Sequence, residues 1–283
     1  MGNIGLVLSG GMVKGAYQIG ALQAIAEFFK PSDFRYVSAA SIGALNSYAF
    51  LTNRVCEATA LWQASSESTR RKVTSIFKAD FLREAISKIV TDVQFNNTFF
   101  IPLLNIKRRK LSYVDIGKIQ FSEVEPYLRA SVALPILNSA VQIDGEAFYD
   151  GAMIDNIPIY PILKHSVDYI VCVYFDNNMY TFEDKCLDNK IIKINFSDSS
   201  IISNSICLKN EEVDYMIREG YSRAKMILDY IFTNGMNDVE LIHKKISELN
   251  SLNKGRNVRI TGDVVVNNMN KIVRKFMNRI EIY

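Results

Sequence analysis

The chain has 283 residues, 48% of them hydrophobic and 22% charged, with a net charge of +3. That length buries a sizeable core in one α/β domain, or in one domain with an appended piece. The charge is too small to argue for a nucleic-acid partner, and no run is long and apolar enough to read as a transmembrane helix. The four cysteines (Cys56, Cys172, Cys186, Cys207) are widely spaced and make no zinc-ligand spacing with the two histidines. They read as reduced, mostly buried thiols. The chain starts almost directly on a strand, without a secretory leader, and Leu6 stands where a myristoylation motif needs Ser or Thr.

Ile4-Gly5-Leu6-Val7-Leu8-Ser9 reads as a short buried strand. It runs into Gly10-Gly11-Met12-Val13-Lys14-Gly15, and then a helix carries Ala16, Ile19, Leu22, Ile25 and Phe29 on one face. A strand, a glycine turn and a helix form an anion-binding geometry, because backbone N–H groups converge there. Lys14 precedes Gly15 rather than following it, so the turn is not a Walker A loop. The glycines at 10, 11 and 15 do not make G-x-G-x-x-G either. An oxyanion hole, or simply a tight turn, remains.

Pro31-Ser32-Asp33 ends this helix. The chain then enters Tyr36-Val37-Ser38-Ala39-Ala40-Ser41-Ile42-Gly43-Ala44, where a β-like run ends at Ala40 and a helix-like run starts at Ile42. Ser41 sits on the corner, flanked by small residues. A sharp strand-to-helix turn needs small neighbours and presents its central hydroxyl; an ordinary helix N-cap serine is the plainer reading. Two strand–turn–helix units in the first 50 or so residues predict a parallel sheet covered by helices, with a site at the carboxyl ends of its strands.

Residues 54 to 91 read as mostly helical, with Trp62 in the core. Phe95 to Leu104 forms an apolar patch beside Lys107-Arg108-Arg109-Lys110; it reads as a buried loop next to a solvated charge run, with a lid or a membrane contact as the alternative. Ser122 and Glu125 read as a capping box with Pro126 closing the first turn. Asp144-Gly145 marks a hairpin. Its second strand ends at Asp150-Gly151-Ala152, where the aspartate is presented rather than buried, unless it is only a turn residue. Residues 167–175 and 191–196 read as interior strands, 211–232 and 238–249 as helices. Nine basic residues lie between 244 and 283 against Glu248, Asp263 and Glu281; they suit an anionic surface or a solvated face.

With these pieces in place the chain resembles the patatin-like phospholipases, especially their short bacterial members. The matched segments are Leu8 to Tyr17, Ala39 to Ala44, Leu128 to Pro135, and Tyr149-Asp150-Gly151-Ala152 with Asn156 and Pro158 behind it. Arg218-Glu219-Gly220-Tyr221 is similar to the family's late helix. Residues 54 to 121 carry no family motif. The resemblance implies a three-layer α/β/α fold with a mainly parallel central sheet. It implies a single domain over residues 1–283 with a helical, basic C-terminal part from about 236. It also implies a serine acyl hydrolase that cleaves fatty-acyl esters of phospholipids or other lipids.

In that reading Ser41 is the nucleophile and Asp150 the general base. The N–H groups of Gly10, Gly11 and Met12 form the oxyanion hole, and Ala39, Ile42 and Gly43 build the nucleophile elbow. No metal or cofactor is required, no nucleic acid is expected, and transient contact with a membrane surface is compatible. The expected location is the cytoplasm or the face of a membrane, with export by a dedicated secretion system equally compatible. Met12 replaces the usual third glycine, and Ala39 replaces the first glycine of G-x-S-x-G. Those two departures motivate a competing reading, a non-catalytic lipid- or partner-binding module. A Ser–His–Asp triad would have to recruit His165 or His243, and His243 lies in a charged helical stretch without a loop signal.

Overall fold

The computed structural model describes residues 3–67, 71–72, 78–135, 137–175, 180–182, 184–196, 207–252, 256–258 and 281–282. A mixed sheet organises them. Its strands are β1 (Ile4–Leu8), β2 (Phe34–Ala39), β3 (Thr98–Asn105), β4 (Lys110–Asp115), β5 (Val141–Ile143), β6 (Glu146–Asp150), β7 (Tyr169–Tyr174), β8 (Ile191–Asn195) and β9 (Glu281–Ile282). The order is β8-β7-β1-β2-β3-β4-β9. β8, β7, β1, β2 and β3 run parallel, and β4 returns antiparallel to β3.

Helices cover both faces. They are α1 (Gly15–Ile25), α2 (Ile42–Leu51), α3 (Val55–Glu67), α4 (Ala79–Ile89), α5 (Phe121–Ser131), α6 (Tyr160–Leu163), α7 (Lys185–Asp188), α8 (Asn210–Ile231) and α9 (Val239–Leu252). Alternation along β1 explains the two layers: Ile4, Leu6 and Leu8 enter one core with Tyr17, Phe29, Phe34, Phe50 and Phe99, while Val7 enters another with Ile162, Ile170, Cys172 and Ile191. α1 and α8 cross in near-contact, since a side chain at Gly20 would meet the Ile217 carbonyl and one at Gly220 the Tyr17 carbonyl. Among the described residues no helix is long and apolar enough to cross a membrane.

The edge of β3 positions the site. β2 pairs only with the start of β3, Ser38 lying opposite Phe100. β6 pairs antiparallel with its end, Asp150 lying opposite Leu103. β4 occupies the other edge from Phe100 to Asn105. β2 and β6 therefore approach each other end to end along one edge of β3. The gap between Phe100 and Leu103 is about 10 Å at strand spacing, the length that Ala39-Ala40-Ser41 must span beyond Ser38.

β3 corrects the reading of residues 95–104 as a buried loop. The apolar run is an interior strand, and Pro102 hides it, because proline argues against a central strand. The gap between β2 and β6 removes the objection. A side chain on Gly151 would lie 2.5 Å from the Pro102 carbonyl, so that peptide edge faces the gap, where no strand asks for an N–H.

Other expectations also change. α5 begins at Phe121 with Gln120 as its N-cap and no side-chain cap bond, so Ser122 lies inside the helix and the capping box is absent. Pro126 is then interior, where it leaves the Ser122 carbonyl without its i→i+4 donor. Of the three cysteines whose burial is described, Cys172 is buried in β7 but Cys56 and Cys186 are exposed, since each lies in the first turn of a helix, α3 and α7. The Asp144–Gly145 hairpin is present, with φ of 51° and 76° as a two-residue type I′ turn requires. In the C-terminal part α9 is helical, but residues 256–258 form a strand paired with residues 180–182. Most of the remaining basic tail lies outside the described residues.

Candidate active site

Ser41 follows the end of β2 directly. Its backbone has φ 55° and ψ −132°, a conformation that L-residues populate sparsely and that stores about 1–3 kcal/mol. The neighbourhood enforces it. Ala40 N–H donates to the Leu8 carbonyl at 3.0 Å, which ties the corner to β1. A methyl on Gly43 would lie 2.6 Å from the Ser9 carbonyl and 2.8 Å from that of Leu8, so α2 starts pressed against the end of β1. Ala39 and Ala40 are fully buried. The Ser41 side chain caps nothing in α2 and is 7% exposed. The plain N-cap role is therefore set aside.

Asp150 ends β6. Its N–H donates to the Ala133 carbonyl at 2.9 Å, and its Oδ1 accepts from Ala152 N–H at 2.8 Å. The expectation of a presented carboxylate is corrected, for Asp150 is 0% exposed. The cause is the packing of the 150–152 turn against Pro102 of β3, a strand the sequence disguises. Burial pushes the Asp150 pKa up to about 7, against lowering contributions from the Ser41 hydroxyl and the Ala152 N–H. Among the described residues Oδ2 has no partner of hydrogen-bond geometry. The hydroxyl thus faces the carboxylate within interacting range but short of a formed hydrogen bond. Loose contacts of this kind are common in active sites without substrate.

The glycine turn joins them. A methyl on Gly10 would lie 3.0 Å from Ser41 Cβ, 3.2 Å from Ala152 Cβ and 2.4 Å from Asn156 Oδ1, so the motif segments converge on one point. Asn156 clamps the turn twice: its carbonyl accepts from Gly10 N–H at 3.1 Å, and its Nδ2 donates to the Gly10 carbonyl at 3.2 Å. Gly10 N–H is thereby committed within the fold, unlike the expectation that it serves as an oxyanion donor. Among the described residues the N–H groups of Gly11 and Met12 donate to no group of the chain. Met12 adopts φ 51° and is 37% exposed, so its side chain points outward instead of filling the turn.

A buried polar network, invisible in the apolar-face reading of the helices, holds this turn from behind. Gln18 Nε2 donates to the Ser9 carbonyl at 2.7 Å. Asn46 Nδ2 donates to Gln18 Oε1 at 2.9 Å and to the Gly15 carbonyl at 3.0 Å. Trp62 Nε1 donates to Asn46 Oδ1 at 3.4 Å. The signal for it in the sequence is an amide within each of two largely apolar helices, Gln18 in α1, which also carries Gln23, and Asn46 in α2. Asn46→Ala is expected to leave the Gln18 and Trp62 partners unsatisfied and to cost about 1–3 kcal/mol in urea denaturation. The sole tryptophan, buried beside this network, should report the loosening as a red shift in emission. On the other side of the site, the Tyr113 hydroxyl donates to Asp155 Oδ2 at 2.5 Å and pins the turn after Asp150. Burial, then the Asp155 charge, pushes the Tyr113 pKa upward.

Neither histidine approaches Ser41 through a hydrogen bond. His243 Nε2 meets the Asp168 carbonyl at 2.6 Å, and His165 stacks on Tyr36 with ring centroids 4.2 Å apart. A Ser–His–Asp triad is not assembled.

No curated protein matches the chain in sequence. Among solved structures it is similar to VipD from Legionella pneumophila, at 12% identity and a TM-score of 0.46, covering 81% of this chain and 67% of that one. It is also similar to the type III effector protein ExoU, at 14% identity and a TM-score of 0.40, covering 88% of this chain and 60% of that one. The same comparison with full-length ExoU of Pseudomonas aeruginosa in complex with SpcU gives 13% identity, a TM-score of 0.43, and coverage of 80% and 52%. The chain thus spans about three fifths or less of the ExoU chains it matches. The sequence profile of one family matches residues 6–163, more than half of the chain, and that span runs from β1 through the glycine turn, Ser41 and Asp150 to the end of α6. This protein belongs to the patatin-like phospholipase family.

Proposed function

We propose that the protein is a serine acyl hydrolase that cleaves fatty-acyl esters of phospholipids or related lipids through Ser41 and Asp150. The observation that carries this reading is the end-to-end meeting of β2 and β6, which sets a strained serine against a buried carboxylate that titrates near neutrality. Asp150 accepts the Ser41 proton as the hydroxyl oxygen attacks the ester carbonyl. The N–H groups of Gly11 and Met12 are the free donors for the oxyanion, each typically worth about 3 kcal/mol. The alcohol leaves with the proton from Asp150. Water gives its proton to the same carboxylate and attacks the acyl-serine; the acyl–Oγ bond breaks, Asp150 returns the proton to Ser41 Oγ, and the fatty acid departs.

The reading is tested with a series of 4-nitrophenyl esters of increasing chain length, in EDTA. Turnover that persists in chelator and varies with chain length supports it. Absence of turnover on these esters and on phospholipid vesicles contradicts it and leaves the binding-module reading.

A further inference from the structure

The turn between β3 and β4 holds Ile106, Lys107, Arg108 and Arg109, with Lys110 opening β4. All but Lys110 are exposed. The register places this turn over the candidate active site. Leu103 lies opposite Asp150, and β3 continues outward to Asn105 before it turns. At strand spacing the turn stands roughly 10 Å beyond the level of Asp150. The β5–β6 hairpin rises beside it, with Phe148 opposite Asn105. Glu146 ties the two together: it accepts from Asn105 Nδ2 at 2.8 Å and pairs with Arg108. Asn105 Oδ1 also accepts from Arg108 N–H at 2.9 Å. The turn is therefore a braced platform.

Glu146 answers the charge of Arg108. Among the described residues Lys107 and Arg109 have no ion pair, and Asp144 is the exposed carboxylate on the neighbouring hairpin tip. Lys14 adds a cation from the glycine turn. Ile106 at 40% and Met12 at 37% exposure supply apolar side chains at the same end of the sheet. Cations interleaved with exposed aliphatic groups around a buried ester-cleaving site complement an anionic lipid surface.

We infer that this two-hairpin end docks on bilayers of anionic phospholipid, with Lys107 and Arg109 on headgroup phosphates and Ile106 seated between headgroups, so that the mouth above Ser41 faces the membrane. The inference rests on the lipid-ester reading for its purpose but not for its test. The test is co-sedimentation with vesicles of non-hydrolysable ether phosphatidylcholine, with and without ether phosphatidylserine. The wild type is expected to bind the phosphatidylserine vesicles, less so as salt rises. The double variant Lys107→Ala/Arg109→Ala is expected to bind them about thirtyfold more weakly. Its turnover of a soluble 4-nitrophenyl ester should be unchanged, which also shows that it is folded; Lys107→Gln/Arg109→Gln serves if the alanine pair is not. Equal binding by variant and wild type, or wild-type binding to RNA but not to vesicles, overturns the inference. Charge-dependent vesicle binding by a protein that cleaves no ester would keep the docking surface and refute the hydrolase. Ester cleavage without vesicle binding would do the reverse.

Discussion

Asp150→Asn is expected to lower ester turnover by about a thousandfold or more and to raise stability at alkaline pH. A positioned general base contributes on the order of 10²–10⁴ in rate, and the amide cannot take the Ser41 proton. The stability effect follows from linkage. Burial raises the folded-state pKa of Asp150 to about 7, against 3.8 for an unperturbed group. Below about pH 4 both folded and unfolded chains hold the proton, and the carboxyl favours the folded state at no cost. As pH rises towards 7 the unfolded chain ionises first, so stability falls, and above pH 7 the loss is complete. For a fully buried group with this displacement it is on the order of 4 kcal/mol. Asparagine never ionises, and its Oδ1 can still accept from Ala152 N–H. Urea denaturation should therefore find the variant and the wild type alike near pH 4, and the variant the more stable at pH 8. The wild-type kcat/KM should rise with pH along a limb centred near 7. A variant whose advantage does not grow with pH would show that Asp150 ionises freely.

Ser41→Ala should remove roughly 10⁴-fold or more of kcat, in line with losses at hydrolase nucleophiles that act with a base as a unit. Alanine keeps the strain, because φ 55° with ψ −132° disfavours any Cβ. Ser41→Gly should be equally inactive yet about 1 kcal/mol more stable than the alanine variant, after allowance for the greater freedom of glycine in the unfolded chain. The pair separates strain stored at the corner from chemistry done by the hydroxyl. Equal stability of the two variants would mean that the corner is relaxed.

The site was legible where its chemistry is local. Ser41 is marked by a strand meeting a helix among small residues, the glycine turn by its spacing, and the β5–β6 hairpin by Asp144-Gly145. Asp150 was legible as a residue but not as an environment. Its burial comes from β3, and Pro102 disguised that strand because the gap that tolerates a proline exists only once β2 and β6 are both in place. The loss of Gly10 as a donor is likewise long-range, since its partner Asn156 lies 146 residues away in the chain. Gln18 and Asn46 are hidden from a reading by apolar periodicity, since their meaning lies in being the polar exceptions. The basic turn is plain in the sequence, but its place above the site depends on a register that no local pattern carries.

A fluorophosphonate probe gives the most direct measurement, because it traps an activated serine through the same attack that opens an ester. After reaction the protein would be digested and the adduct located by mass spectrometry, with the Asp150→Asn variant in parallel. The account predicts one adduct, on Ser41, formed quickly in the wild type above pH 7 and slowly in the variant. An adduct on another serine, or equal labelling of Ser41 in both proteins, would contradict it.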